Sequence, residues 1–342
     1  MPLYLENYYI VRPDDHFMTS YMVMDNGTVI TLTYTFYSWP VLFPNLINIL
    51  DMIVQLAAIH FVWTGKMFRK TKFFMLLLIF STTISWRTFT FIICTTLASS
   101  IGTGVIYRIT TYISLYTDAI TDYFSMQMIF LMSLNRCLSF TRDTWNSRIF
   151  GGSRYILTVI GSGVLSIISA ISGLITSKVY RHFNYAYGFV DYGYSVGIRA
   201  EISRLYYTFQ VSSVFCYAIL YYYMRKQNKT ISNQSANTNQ GEKKVFVQLC
   251  VAAVLEVTLS VFYECNLLLA RLDRSQKTSG FGNDTLQDTA MGILNVTNYF
   301  PEISLPFLML ISHYRVRERI FNFISPSGST VVVGRRVMET RV

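Results

Sequence analysis

Charge is what this chain has least of. Only 14% of its 342 residues are Asp, Glu, Lys or Arg, whereas 52% are hydrophobic and 16% aromatic; soluble domains carry roughly 25% charged residues. That deficit excludes an ordinary water-soluble domain and points to a membrane as solvent. Cysteine is scarce too. There are five, an odd number, and none falls in a loop expected to face outward, which argues against a disulfide framework and for thiols in or beside membrane helices. The opening stretch MPLYLENYYIVRPDDHF lacks the basic start, apolar middle and small-residue cleavage site of a signal peptide, so the first apolar span is expected to act as an uncleaved anchor. No HExxH, GxSxG or P-loop pattern occurs, and the four histidines (His16, His60, His182, His313) are scattered. Neither an enzyme nor a metal or cofactor site is expected. The net charge of +10 does not indicate nucleic acid, which needs Lys and Arg gathered into one footprint; here they sit in short clusters between apolar runs.

Those runs, read at about 20 residues each, predict an all-α membrane protein with seven spans near 36–63, 73–95, 110–137, 155–176, 204–224, 245–270 and 287–312. The segments 64–72, 136–154, 225–244 and 313–342 hold 19 of the 29 Lys and Arg; the segments on the other side hold 9, and Arg87 lies within the second span. Positive charge accumulates on the cytoplasmic side. The reading is therefore an extracellular arm over 1–35, a seven-helix bundle over 36–312, and a cytoplasmic tail over 313–342, with the N-terminus outside and the C-terminus inside. Sequons at Asn26 and Asn283 fall on the outer side and are expected glycosylation sites. Those at Asn228 and Asn233 lie in an inner loop too polar to bury a core, where chance matches are expected, and that at Asn295 lies inside the seventh span.

Ionisable side chains inside a span cost roughly 2.5 to 3.5 kcal/mol at the bilayer centre, so each should face the bundle interior and have a partner or a task. Seven qualify: Asp51, Arg87, Asp118, Asp122, Glu256, Glu264 and Glu302. Asp118 and Asp122, four residues apart, share one face of the third span. They stand about 27 and 21 Å from Arg136 along the helix. Arg87 reaches a similar depth and is the expected partner of Asp122, with Glu264 lining the same cavity. These four form the expected ligand site. For that outer group the alternative is an ion-pair cluster that merely fixes helix positions. Asp51, Glu256 and Glu302, nearer mid-depth, are expected to form a polar network that changes on activation, the alternative being protonated, hydrogen-bonded carboxyls. The second outer loop, 177–204, is rich in Tyr and Gly and suits a lid, with Tyr185, Tyr187, Tyr192 and Tyr194 offering amphipathic faces. Ser162, Gly163, Ser166 and Ala170 form a small-residue stripe for close helix packing. Pro301 and Pro306 interrupt the seventh span, and YRVRERIFNF after it suits an amphipathic helix lying on the membrane.

At the inner end of the third span stands LMSLNRCLSF. Its Asn135-Arg136-Cys137 resembles the Asp-Arg-Tyr element of rhodopsin-like G-protein-coupled receptors. It is closer to the NR form of nematode serpentine chemoreceptors of the Srg-type superfamily, whose classes include Srxa, Srx and Srv. The basic first inner loop TGKMFRKTK and the last span NYFPEISLPFLMLISHYRVRERIFNF extend the similarity over most of the chain. Three rhodopsin-like features are absent: a cysteine in 177–204, a Cys-Trp-x-Pro switch in 245–270, and a true Asn-Pro-x-x-Tyr. The resemblance implies a chemosensory receptor in the plasma membrane of sensory neurons. It implies an external small-molecule or peptide ligand and a heterotrimeric G protein as partners, with Asn135 and Arg136 in coupling. A transporter or ligand-gated channel using the intramembrane carboxylates is the alternative; no paired repeat with matching helix breaks supports a transporter.

Overall fold

A computed structural model describes residues 18–23, 29–34, 39–65, 71–101, 104–184, 188–192, 198–230, parts of 250–262, and 300–312. The elements are β1 (Met18–Val23), β2 (Val29–Tyr34), α1 (Trp39–Thr64), α2 (Lys72–Ile101), α3 (Val105–Thr141), α4 (Asp143–Phe150), α5 (Arg154–Thr176), β3 (Tyr180–Asn184), β4 (Gly188–Tyr192), α6 (Ile198–Thr230) and α7 (Phe300–Ser312). Further helical residues at 250–251, 254–255, 257–258 and 261–262 fall where the sixth span is expected.

The expected spans one to five appear as α1, α2, α3, α5 and α6, and α7 covers the end of the seventh. Pro40 stands just inside the start of α1, where a missing N–H costs nothing. Among the described residues, three helices combine the length and hydropathy needed to cross a membrane: Asn45–Thr64, Lys72–Ile101 and Arg154–Thr176. The 37-residue α3 and 33-residue α6 are long enough but more polar, and on α3 much of that polarity faces the bundle. Buried on α3 are Thr110, Thr111, Ser114, Thr121, Ser125, Gln127, Ser133 and Asn135.

The packing is inverted relative to a soluble bundle. On α5, Ser162, Ser166 and Ser169 are buried, whereas Leu157, Ile168 and Ile175 are 69%, 59% and 61% exposed. Hydrocarbon rewards an apolar exterior, so small and polar residues turn inward, where they satisfy one another. A Cβ added to Gly173 would lie 3.6 Å from the Arg199 backbone of α6, in ordinary van der Waals contact. α3 runs through the middle, packing against α2, α4, α5 and α6. Toward the end that carries α4, Phe73, Leu76, Leu77 and Phe80 of α2 pack with Met128, Ile129 and Met132 of α3, Phe150 of α4, and Leu305 and Met309 of α7.

Two segments read as loops are structured. The stretch after residue 136 continues α3 to Thr141 and then forms the short helix α4, which begins with Asp143 and has Arg148 in its last turn, each charge complementing the helix dipole. The Tyr- and Gly-rich loop contains an antiparallel hairpin, with Tyr180 opposite Tyr192 and Asn184 opposite Gly188. Gly188 opens β4 at φ 78°, a backbone region that favours glycine. A second antiparallel hairpin, β1 with β2, precedes α1.

Candidate functional site

Polar side chains stack in layers along α3. The first lies under the β3–β4 hairpin. Arg181 of β3 donates to Ser114 at 2.8 Å and to Asp118 at 2.6 Å on α3, and forks onto Asp191 of β4 at 2.6 and 3.0 Å. Its side chain is 9% exposed. Burial alone disfavours the guanidinium charge, but Asp118 and Asp191 outweigh it and raise the Arg181 pKa, so this residue stays charged. Beside it Tyr107 of α3 accepts the Phe183 backbone N–H at 2.8 Å and lies 2.9 Å from His182 Nδ1. Burial lowers the His182 pKa; a neutral imidazole accepting the Tyr107 hydroxyl proton fits this geometry. Phe189 stacks edge-on with Phe91 of α2 and with Phe183. Asp118, read as a ligand contact, thus already has a strong partner in the hairpin.

The second layer holds Asp122. Its carboxylate has no hydrogen-bond or ion-pair partner among the described residues, yet it lies in the fields of Arg87 and Arg199 and is only partly buried by exposure. The neighbouring side chains are all engaged. Tyr123 meets Ser203 at 3.2 Å, Gln127 donates to Ser166 at 2.9 Å and to Tyr206 at 3.1 Å, and Tyr206 donates to Ser169 at 3.0 Å. The Tyr123 and Tyr206 rings lie 4.4 Å apart. An unsatisfied carboxylate beside satisfied neighbours is the exception in a buried polar layer.

The third layer corrects the expected pairing of Arg87 with Asp122. Arg87 of α2 binds Glu302 of α7 with both terminal nitrogens, one at 2.9 Å. A fork-to-fork geometry satisfies both carboxylate oxygens. Asp122 contributes only at longer range, because Glu302 projects from α7 directly at the guanidinium. Around the pair, Gln55 donates to Asp51 at 3.0 Å and to the Glu302 backbone carbonyl at 3.2 Å, and Thr88 donates to Asp51 at 3.3 Å. Asp51 and Glu302 therefore do share one network, joining α1, α2 and α7. Glu256 and Glu264 lie outside the described residues, as do Asn26 and Asn283.

The fourth layer lies at the α4 end. Asn135 donates to Asn146 of α4 at 2.9 Å, and the Arg136 guanidinium sits 4.1 Å from the centre of the Phe73 ring on α2. Ser133 hydrogen-bonds Tyr217 of α6, and Lys72 of α2 caps the Gly152 carbonyl at 2.8 Å. Arg136 thus lies against an aromatic face at the bundle rim.

The partners that sequence reasoning missed are Arg181, Asp191, Gln55 and Thr88. Arg181 and Asp191 count as loop charges in a one-dimensional reading. The signal for Gln55 is its spacing from Asn48 and Asp51, which places all three on one face of an otherwise apolar helix.

A helical bundle with an apolar exterior, polar layers within and a folded segment across one end has the build of a membrane receptor. Residues 32–323 match the family described as serpentine-type 7TM GPCR chemoreceptor Srv. The chain belongs to that family, and its bundle is accordingly a seven-transmembrane one. No curated protein matches it closely enough to count as a relative.

Proposed function

We propose that this protein is a plasma-membrane chemoreceptor that binds an external ligand in the bundle beneath the β3–β4 hairpin and activates a heterotrimeric G protein at the α4 end. The N-terminus and hairpin face outward in this reading and the tail faces the cytoplasm, in keeping with the 19 to 9 distribution of Lys and Arg. Arg87, Asp118, Asp122 and Glu264 remain the binding group, but with different tasks. Asp118 holds the lid through Arg181, and Arg87 anchors α2 to α7 through Glu302.

The observation that carries the ligand assignment is Asp122. A carboxylate without a hydrogen-bond partner among the described residues, held among ordered aromatic and hydroxyl side chains, suits the cationic group of a small organic amine. Tyr123 and Tyr206 supply faces that also favour a cation. Arg136 and Asn135, several turns further along the same helix toward α4, carry the coupling role that the family implies.

The test is a panel of primary and quaternary amines, each matched with a neutral isostere, read by G-protein nucleotide exchange normalised to surface receptor. The amines should activate and the isosteres should not. Asp122→Asn should abolish the response at unchanged surface level; equal activation by neutral isosteres overturns the cationic-ligand assignment.

A further inference from the structure

Two thiols meet where the third and fifth spans converge. Cys137 ends the Asn135-Arg136-Cys137 run on α3, and Cys216 lies on α6; both are reduced and buried, at 5% and 8% exposure. Each thiol is a near neighbour in the electrostatic surroundings of the other. The register of the two helices supports that contact independently. Ser133, one turn before Cys137, bonds to Tyr217, the neighbour of Cys216. Ser213, Cys216, Tyr217 and Leu220 are all buried, at spacings that set them on one face of α6. Neither the polar layers nor the coupling residues require these sulfurs.

We propose that Cys137 and Cys216 form a redox-modification site at which a hydroperoxide drives formation of a disulfide tying the third span to the fifth. One thiol attacks the peroxide O–O bond, gives a sulfenic acid and releases the alcohol, or water from hydrogen peroxide. The second thiol then displaces water from that sulfur and closes the S–S bond. Two thiols lose two electrons and two protons in total, and the peroxide accepts them. A bond of about 2.05 Å with Cβ atoms about 3.8 Å apart requires only that the two helix ends stay together. Any signalling state that separates those ends is then forbidden while the bond lasts, and reduction restores it. Hydrogen peroxide is small enough to reach a buried pair near the rim of the bundle.

The bridge itself is independent of the receptor assignment; its effect on signalling rests on that reading. Membranes carrying the full chain are exposed to hydrogen peroxide, alkylated, digested and searched by mass spectrometry for a peptide joining Cys137 to Cys216. That peptide is expected, is removed by dithiothreitol, and disappears in Cys216→Ser and Cys216→Ala, two variants that guard against a folding defect in either. Cys94, in the field of Asp118 and Arg181 under the hairpin, should remain unbridged. Amide hydrogen exchange at the α4 ends of α3 and α6 should slow on oxidation and recover on reduction. Absence of the peptide, or bridging of Cys216 to Cys250 instead, overturns the site; a bridge that leaves hydrogen exchange unchanged overturns the lock. A bridge with slowed exchange and undiminished G-protein activation overturns the effect on signalling and leaves the site standing, whereas absence of G-protein activation both before and after oxidation counts against the receptor reading.

Discussion

Arg87 and Glu302 show how much a buried ion pair depends on both members. Removing one partner of such a pair strands a charge in low dielectric at a cost of about 3–5 kcal/mol. Arg87→Gln and Glu302→Gln should each lower the thermal midpoint of the detergent-solubilised protein, and the double variant should recover much of the loss; additive effects in the double-mutant cycle would remove the claim of direct contact. Asp51 tunes the same network through Gln55, so Asp51→Asn should be milder than either charge removal. The sequence made every one of these residues visible, because charge inside an apolar run stands out. It misassigned the partner of Arg87. Depth along a helix follows from residue count, but the face of α7 that meets α2 depends on how the helices rotate against each other, and no count supplies that.

At the scale of the element, the hairpin matters most. Arg181 joins β3, β4 and α3 through Asp191, Ser114 and Asp118, doing with ions what a disulfide does in receptors that have a cysteine in this loop. Arg181→Ala should therefore raise amide hydrogen exchange across residues 180–192 while leaving α5 unchanged. Protection equal to that of the parent chain would show that the aromatic contacts alone hold the hairpin. His182 adds a pH dependence. Its folded pKa lies below the ordinary 6.5, so above that value both the docked and released hairpin hold a neutral imidazole and docking is at full strength. As pH falls below about 6.5 the released form gains a proton that the docked form resists, and hairpin protection should decline. His182→Phe should abolish that decline. Composition left a lid and interfacial aromatics both open for this loop and gave no sign of its strands. The Tyr-rich alternation serves interfacial anchoring and strand pairing equally, and Arg181 and Asp191 face each other only once the register is set.

For the whole molecule, orientation decides the remaining assignments. Epitope tags at the two ends should stain on intact cells at the N-terminus and only after permeabilisation at the C-terminus; the reverse pattern would turn the hairpin toward the cytoplasm and remove the ligand site. Arg136 tests the other end. Its guanidinium lies over Phe73, and a planar cation is not replaced by an ammonium there without loss, so Arg136→Lys and Arg136→Ala should reach the surface yet lose most G-protein activation. Full activation by Arg136→Ala would leave that residue a topological charge. The seven-span architecture was legible from apolar run length alone, since hydrocarbon imposes a minimum length on each helix. The continuation of α3 and the formation of α4 were not, because beyond the membrane no such length rule applies.

One continuous rod, α3, carries Asp118 and Asp122 near its middle and Asn135 and Arg136 toward its α4 end. At 37 residues it is about 55 Å long, against a hydrocarbon thickness of about 30 Å, so it tilts or projects beyond the bilayer. A rod has no slack. If Asp122 holds the ligand and Arg136 meets the G protein, as proposed, whatever tilt or rotation favours an occupied Asp122 is the same displacement that the partner at Arg136 must favour, and equilibrium linkage works in both directions. Under the proposed function, the factor by which an amine strengthens the grip on nucleotide-free G protein must then equal the factor by which nucleotide-free G protein strengthens the grip on the amine.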